Sequence, residues 1–476
     1  PIVVSTVPSR GTTIPKTLLK PGLDCGINVT VTKSTSFMGR GQKLTDLGIE
    51  EALMRNLAQL TANVKTILPF SGRLRTLGRR LLLTAAATGT LLAVSVPAQA
   101  DQGFSQFVSG FWPTAKAAGI SSQTYNAVFT GMQPDDDTLR LMSKQSEFVK
   151  PIWDYLDSAV SDTRVEKGRE MLKEYSQVLA VIENRYGVDR EAVLAIWGME
   201  TNYGGFMGRH NVIQALATLA YAAPRRKSFW EKELVTALAI VQAGHVRFQD
   251  MEGSWAGAMG HTQFMPSSWK AYAADYDGDG RRDIWTSIPD ALASTAAYLQ
   301  KHGWQTGKTW GYEVALPSGF DYHMADGEKT LTLGEWGRYG IRRSNGKDFP
   351  RPSDNAILVL PAGASGPAFL MLKNFYVIKR YNNATAYALA VGHLADRIIG
   401  GGPIEGDWSR EHLPLNRSET AELQALLNQR GFSVGTADGR IGPATRKGIR
   451  AYQRSRGMVP DGYASIVLLA RLKLDG

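Results

Sequence analysis

Cysteine is nearly absent from this sequence, since Cys25 is the only one among 476 residues. It lies upstream of residues 73–100, which have an arginine-rich start, a short apolar run and a small-residue ending at Ala98-Gln99-Ala100. These are the parts of a secretory signal and predict export to a bacterial periplasm of the Gram-negative type, with cleavage after Ala100. The alternative is a single membrane anchor, or membrane association through an uncleaved signal, although the apolar run is short for a span. The exported chain would contain no cysteine, which excludes disulfide bonds, thiol catalysis and a lipid-bearing cysteine.

Residues 1–53 have no clear periodicity, and the chain begins with Pro1. We interpret them as sequence upstream of the true start, for which Met54 is one candidate. The whole of 1–100 is therefore predicted to be non-structural material plus the signal at about 73–100.

A strong excess of one charge is also absent from the remaining chain. The net charge of +10 arises mainly in residues 1–100, which hold 12 of the 54 Lys and Arg and 4 of the 44 Asp and Glu. Residues 101–476 then have 42 basic and 40 acidic side chains, so the basic balance gives no argument for nucleic-acid binding. The seven histidines include no HExxH spacing, and we predict no transition-metal site and no catalytic cofactor.

The pattern of residues 103–310 is mostly helical. Phe104, Phe107, Val108 and Phe111 follow the spacing of one helix face. Gly187 is predicted to end a helix and Asp189 to cap the next one. Turn-rich sequence from 311 to 375 contains short β-like runs at 356–361 and 368–373, and 384–399 is helical again. The expected fold is mainly α with a small β-containing subdomain, over residues 101–402.

The C-terminal segment is predicted to be a separate module. Residues 403–416 are rich in Gly, Pro and charge and are predicted to form a linker. Residues 417–476 contain two similar stretches, each a helical stripe followed by a glycine and then Asp-Gly, which could form a generic three-helix domain. The pattern LQ…LN..G…..DG.IGP.T……YQ…G…DG resembles the bacterial peptidoglycan-binding domain, which implies that peptidoglycan is the partner.

One carboxylate, Glu200, ends the apolar stretch AIWGMETNYGG at residues 195–205. Helical spacing places Val193, Ile196 and Trp197 on the same face, one or two turns earlier. Desolvation and the negative end of the helix dipole would both favour the protonated acid, which is the form that a general acid requires. The alternative is a glutamate that caps the helix or pairs with the following turn.

Three other segments carry side chains suited to sugars. Residues 223–230 contain a pair of arginines, 253–269 form a glycine-rich stretch with a serine and an amide, and 374–382 carry tyrosines and an amide. The candidate binding residues are Arg225, Arg226, Ser254, Gln263, Asn374, Tyr376 and Tyr381. Each of them, taken alone, is more often structural than functional.

In this order, ETNYG, the PRR segment, GSWAGAMGHTQFMPSSW and NFYVIKRYN resemble the B-type lytic murein transglycosylases. The resemblance covers about 104–402 and implies a lysozyme-like helical fold that acts on peptidoglycan. It assigns the acid/base role to Glu200 and cleft roles to the seven binding residues above, although which tyrosine does what stays open. We expect a monomer.

Glycosidases ordinarily use two carboxylates, and the motifs contain no obvious second one; Asp250 and Glu252 lie upstream of the glycine-rich stretch. The resemblance implies that Glu200 protonates the oxygen between N-acetylmuramic acid and N-acetylglucosamine, and that the muramic C6 hydroxyl attacks C1. The product is a 1,6-anhydro end. The alternatives are a muramidase that delivers water to the same bond, and a catalytically silent wall-binding scaffold.

DYDGDGRRDIWT, residues 275–286, matches most positions of an EF-hand loop. The predicted Ca²⁺ ligands are Asp275, Asp277, Asp279, Asp283, the carbonyl of Arg281 and, because Thr286 replaces the usual glutamate, Asp290. Such an ion would be structural. The alternative is an acidic turn without an ion.

Overall fold

The computed structural model describes residues 102–143 and 150–475. The predicted upstream segment, the predicted secretory signal and Cys25 therefore lie outside the described residues. Seven helices come first: α1 Gln102–Ala117, α2 Ser122–Phe129, α3 Asp136–Ser143, α4 Ile152–Ala159, α5 Asp162–Glu174, α6 Ser176–Tyr186 and α7 Arg190–Thr201. Further helices of the main body are α8 Val212–Ala222, α9 Lys227–Gln242, α10 Pro266–Tyr272, α11 Ile288–Lys301, α13 Lys373–Tyr381 and α14 Thr385–Ile398. No described helix combines the length and the apolar character needed to cross a bilayer.

Helix α7 lies at the centre of the helical body. Every residue from Ala192 to Gly198 is buried, and the helix packs against α14, α5, α11 and α6. A helix that is apolar all round must be enclosed by other elements, which explains why this one lacks a polar face. The sequence around Glu200 therefore specifies a central helix rather than a surface one.

The two predicted caps beside this helix have different outcomes. Gly187 ends α6 in the left-handed conformation, with its N–H donated to the carbonyl of Glu183, as predicted. Asp189 occupies the N-cap position of α7 but its side chain does not cap the helix. Its carboxylate accepts hydrogen bonds from the Trp304 indole and the Gly307 N–H, so Asp189 is the N-cap residue, as predicted, but its side chain bonds elsewhere.

The predicted β-containing subdomain is a five-stranded antiparallel sheet. Its strands are β3 Gly311–Ala315, β4 Thr330–Thr332, β5 Arg342–Arg343, β6 Asn355–Val359 and β7 Ala368–Met371, in the order β4-β6-β7-β3-β5. Helix α12, Leu333–Arg338, places Trp336 in a small core formed with Leu358 and Leu370. β7 leads directly into α13, so the sheet fixes where that helix starts.

The C-terminal module contains the three predicted helices, α15 Arg417–Gln429, α16 Pro443–Ser455 and α17 Ile466–Leu474. It has its own core, in which Leu423, Leu427, Ile449 and Tyr452 are fully buried. Pro443 occupies the first turn of α16, where no backbone donor is lost. The mainly helical fold with a small sheet and a three-helix module is as the sequence predicted.

Candidate active site

Glu200 lies in the last turn of α7, at a sharp reversal of the chain. Asn202, the C-cap, and Tyr203 both have left-handed backbone conformations, with φ of 52° and 57°. The reversal sends the chain back along the side of its own helix, and Tyr203 packs edge-on against Trp197. The carboxylate therefore stands where the central helix meets an irregular loop.

Burial raises the pKa of Glu200 to about 7, while a hydrogen bond from Tyr387 acts in the opposite direction. The Tyr387 hydroxyl donates to Glu200 Oε1 over 2.5 Å. Because desolvation is the larger influence, the carboxyl group can exist in either protonation state near neutral pH. This is the direction expected from the apolar face of α7.

Tyrosines surround this carboxyl group. Burial raises the pKa of the Tyr155, Tyr381 and Tyr387 hydroxyls, and the nearby charge of Glu200 raises each of them further. They come from α4 and from the consecutive helices α13 and α14, which lie far from α4 in the sequence. Sequence reasoning identified Tyr381 but missed Tyr155 and Tyr387, because both stand in ordinary apolar helix patterns without a local signal.

The glycine-rich segment forms the neighbouring wall. Strand β1, His210–Asn211, pairs with β2, Glu252–Gly253, and isolated bridges continue from Gly253 through Met259 to Phe264. Gly208 has φ +104°, and a Cβ atom there would lie 2.0 Å from the carbonyl oxygen of Gly253. Only glycine permits this close approach, which joins the loop after Glu200 to the segment 253–264.

His261 and Thr262, to which the sequence assigned no role, hold that wall in place. The Trp197 indole donates to His261 Nδ1 over 3.2 Å, and the Thr201 hydroxyl donates to the His261 carbonyl over 2.6 Å. Burial lowers the pKa of His261, so it remains a neutral acceptor. The Tyr381 hydroxyl donates to the Thr262 carbonyl over 2.5 Å. These contacts link the central helix, the wall and α13.

Ser254 and Gln263 both lie on this wall. The Ser254 hydroxyl accepts the N–H of Ala258 over 3.1 Å. The Gln263 amide nitrogen donates to the carbonyls of Met207 and Gly260, each over 2.9 Å, and its backbone φ is +52°. The structure thus places both residues in the segment attached to the loop after Glu200.

Backbone strain is concentrated in the same motifs. In the described part of the chain, left-handed φ values outside glycine occur at Asn202, Tyr203, Arg226 and Gln263. Each of these conformations costs free energy and persists where the surroundings enforce it, which is common at functional sites. All four lie in the ETNYG, PRR and GHTQF segments.

Arg225 and Arg226 occupy the exposed turn between α8 and α9. The Arg226 guanidinium lies over the ring of Phe229, 4.0 Å from its centroid. None of the described hydrogen bonds or ion pairs ties either arginine to an acidic side chain, so both guanidinium groups stay accessible.

Asn374 differs from the role expected for it. Its side chain is 1% exposed, donates to the carbonyls of Gln305 and Lys308 and accepts the Gln305 N–H. Its hydrogen-bonding capacity is used by the backbone at 305–308, so Asn374 anchors the start of α13 rather than a ligand. Tyr376, on the same helix, is half-buried and lines a pocket.

The two acids just upstream of the glycine-rich stretch, Asp250 and Glu252, do not form a carboxylate pair with Glu200. Asp250 forms an ion pair with Arg247, and Glu252 is exposed on β2. Among the described residues, the hydrogen bond received by Glu200 comes from a tyrosine and no carboxylate is bonded to it. In the described part of the chain, the hydrogen-bond partner of Glu200 is thus a tyrosine hydroxyl and not a second acid.

The acidic loop gathers three of its predicted ligands. Carboxylate oxygens of Asp275, Asp277 and Asp279 lie within 4.8 Å of one another, and Gly278 and Gly280 have the positive φ that a tight loop needs. Oxygen donors at this spacing suit Ca²⁺.

Asp283 and Asp290 are outside this group. Asp283 accepts the N–H groups of Trp285 and Thr286 and pairs with Arg281. Asp290 is buried and accepts the N–H groups of Tyr276 and Asp283. Their carboxylates brace the loop against α11 instead of completing the cluster.

Two family models match this chain. One described as "Transglycosylase SLT domain" matches residues 103–396, and one described as "Putative peptidoglycan binding domain" matches residues 416–472. The membrane-bound lytic murein transglycosylase B of Escherichia coli (strain K12) is 33% identical over 296 residues, which cover 59% of this chain and 79% of that protein.

Solved structures agree with these matches. SltB3 from Pseudomonas aeruginosa, in complex with NAG-anhNAM-pentapeptide, superimposes with a TM-score of 0.76 at 49% identity, covering 79% of this chain and 100% of that one. The Escherichia coli lytic transglycosylase Slt35 in complex with calcium gives a TM-score of 0.52 at 30% identity, covering 62% and 92%.

Proposed function

Because this chain belongs to the transglycosylase SLT domain family, we propose that Glu200 is the single acid and base of a peptidoglycan lytic transglycosylase. The enzyme cleaves the β-1,4 bond between N-acetylmuramic acid and N-acetylglucosamine and leaves 1,6-anhydro ends. The observation that carries the assignment is a half-buried carboxyl group at the end of α7, bonded to no other carboxylate among the described residues, whose pKa is raised to about 7.

The reaction needs one proton to leave Glu200 and one to return. The protonated carboxyl group donates to the glycosidic oxygen as the bond to C1 breaks, which develops oxocarbenium character at C1. The carboxylate so formed takes the proton from the muramic C6 hydroxyl as that oxygen bonds to C1. The nucleophile belongs to the substrate, so proximity replaces a second carboxylate and a water molecule.

Tyr387 is proposed to position this carboxyl group. Its hydroxyl donates to Oε1, which leaves Oε2 free for the glycosidic oxygen. The bond also favours the anion formed halfway through the reaction, since a donor to the carboxylate stabilises its charged form. Tyr387 is thus a positioning residue for the proton carrier.

We also propose substrate-binding roles for residues near Glu200. Ser254 can donate its hydroxyl proton, because Ala258 uses only an acceptor site of that oxygen. The Gln263 amide nitrogen is engaged by backbone carbonyls, which leaves its oxygen for a sugar hydroxyl. We assign supporting contacts to Tyr381, Tyr376 and the arginine pair Arg225 and Arg226, and we leave Asn374 out.

The Glu200→Gln variant tests the central assignment. Loss of the proton carrier should reduce release of anhydro-muropeptides from purified sacculi by about 10²- to 10⁴-fold, measured by mass spectrometry. Glu252→Gln removes an exposed acid near the same wall and serves as the matched control. Unchanged release by Glu200→Gln would refute the role of Glu200.

The same mass spectra distinguish the lytic transglycosylase from the two alternatives, a muramidase and a silent scaffold. Anhydro products are lighter by one water than hydrolysis products with reducing ends, so a muramidase would be recognised by mass. A silent scaffold would release neither from sacculi.

The protein acts on peptidoglycan at the bacterial cell envelope. We further place the mature monomer in the periplasm, with a catalytic region at 101–402, a linker at 403–416 and a wall-binding domain at 417–476. The match of residues 416–472 to the peptidoglycan-binding family model supports the proposed bounds of the wall-binding domain. Cell fractionation, N-terminal sequencing of the mature protein and light scattering test the compartment, the cleavage after Ala100 and the monomer.

A further inference from the structure

A pocket of about 340 Å³ opens where three parts of the chain meet. Ile152, Tyr376 and Thr385 line it from the catalytic helices, residues 325–327 and 358–361 from the sheet subdomain, and Arg446 and Arg450 from helix α16 of the C-terminal module. The module therefore forms part of a pocket in the catalytic half of the molecule.

The pocket adjoins the surroundings of Glu200. Ile152 is three residues before Tyr155 on α4, and Thr385 is two residues before Tyr387 at the start of α14. Tyr376 shares α13 with Tyr381. All three helices that supply the tyrosines around Glu200 thus also supply a wall of this pocket, about one helical turn away.

Three cations converge on the pocket. Lys379, Arg446 and Arg450 all line it, and none of them has an acidic group within ion-pairing distance among the described residues. Among the described residues, the hydrogen bond of Lys379 Nζ goes to the Thr385 hydroxyl, over 3.2 Å. Burial lowers the pKa of Lys379, Arg446 and Arg450. A neighbouring cation adds to this effect in each case, namely Arg446 for Lys379, Arg450 for Arg446 and Arg454 for Arg450, whereas Asp326 and Asp461 oppose it at Arg450.

Arg450 is a buried cation whose hydrogen-bonding capacity is only partly used. Its side chain is only 8% exposed, and one terminal nitrogen donates to the Ala325 carbonyl over 2.8 Å. Its Nε is buried and has no hydrogen-bond partner. A buried guanidinium donor without a partner is costly, and an anion bound to the same guanidinium group would offset part of that cost.

The two aspartates of the pocket do not fill this role. Asp461 accepts the N–H groups of Ala364 and Tyr463 and the Gln453 amide. Asp326 accepts the N–H groups of Glu328 and Lys329. Both carboxylates are held by neutral donors, and although their charges oppose the lowering of the Arg450 pKa, the described ion pairs include none between them and the three cations.

We propose that this pocket binds a free carboxylate of the peptide stem carried by the peptidoglycan strand, with Arg446, Arg450 and Lys379 as its donors. This inference rests on the proposed function, which brings a glycan strand to Glu200. The sugars are uncharged apart from muramic acid, whose carboxyl group bears the peptide, so the stem is the anionic part of an intact strand. The module then selects peptide-bearing substrate next to the catalytic acid, in addition to holding the wall.

The test compares soluble glycan strands that carry stems with strands stripped of them by an amidase, using the full chain. Stripping exposes the carboxylate of the muramic lactyl group, so strands bearing stems with amidated carboxyl groups form a third substrate. In the wild type, we expect kcat/KM to be highest for the stems with free carboxylates. Equal values for free and amidated stems would overturn the proposal, and the lactyl carboxylate would be the ligand if stripped strands were preferred.

Arg446→Met and Lys379→Met should each reduce the preference for free over amidated stems by about tenfold, since each removes a charged hydrogen-bond donor. They lie on different parts of the chain, so a folding defect in the module variant does not affect the other. Lys447→Met, an exposed change on the same helix, is the control and should keep the wild-type preference. An unchanged preference in both test variants would refute the site.

Binding separates this proposal from the proposed function. Titration of Glu200→Gln with the free and amidated strands measures recognition without turnover. A preference for free stems in binding, together with normal release of anhydro products by Glu200→Gln, would sustain the pocket and overturn the role of Glu200. Equal binding of the free and amidated strands, together with abolished release of anhydro products, would overturn the pocket and sustain the role of Glu200.

Discussion

At Glu200, burial and a hydrogen bond act on the same proton in opposite directions. Burial raises the pKa to about 7, and the Tyr387 hydroxyl lowers it. Tyr387→Phe removes only the second influence, so the pKa of Glu200 should rise. Since the acid must be protonated to act, the basic limb of the kcat/KM profile should move to higher pH.

Tyr381→Phe is the control for this shift. Its hydroxyl donates to the Thr262 carbonyl rather than to Glu200, so its loss should leave the position of the limb unchanged even if KM rises. Identical profiles for wild type and Tyr387→Phe would contradict the assigned coupling.

The same pKa predicts a pH dependence of stability. Glu200 is an acid whose folded pKa, about 7, lies above its ordinary value of 4.5, so the folded state holds more protons between these values. The contribution of Glu200 to stability is therefore fully present below about pH 4.5 and is lost as pH rises towards 7. Glu200→Gln cannot titrate, so its stability relative to wild type should improve by about 3 kcal/mol between pH 4.5 and pH 8.

Denaturant midpoints of both proteins at the two pH values measure this difference. A constant difference would show that Glu200 keeps an ordinary pKa in the folded protein.

At the scale of elements, the acidic loop 275–283 is proposed to hold Ca²⁺ through Asp275, Asp277 and Asp279. An ion bound only by the folded state stabilises it by about 2.7 kcal/mol at 100 times its Kd. Addition of Ca²⁺ to chelator-treated protein should raise Tm, and Asp277→Asn should abolish the increase.

Asp136→Asn, an exposed change elsewhere, should respond to Ca²⁺ as wild type does. The same Tm with chelator and with Ca²⁺ in the wild type would leave the loop as an ion-free turn.

Elements were predictable where their signal is local. Helix periodicity, the Gly187 terminus and the β-like runs around 356–361 and 368–373 depend on neighbours within a few residues, and the structure has them. The side-chain partners of Asp189 and Asn374 were not predictable, for a common reason. Their side chains bond to backbone or indole groups 66 to 118 residues away, and no local pattern contains those partners.

At the scale of the whole molecule, the C-terminal module has its own core, so its stability should depend on the residues of that core. Leu423 is fully buried there, so Leu423→Ala should lower module stability by about 2–5 kcal/mol. We expect reduced co-sedimentation of the full chain with sacculi. Leu413→Ala, at an exposed position, is the control, and full sedimentation of Leu423→Ala would argue against wall binding by the module.

The sequence by itself determined the class of fold, the helix that carries Glu200 and the family motifs, because these depend on spacing, composition and order along the chain. Only the tertiary structure decided which side chains meet. Tyr387 reaches Glu200 across 187 residues, and Arg450 reaches Ala325 across 125. Such contacts depend on how helices, sheet and module pack, and packing is governed by the burial of whole faces rather than by any short stretch of residues.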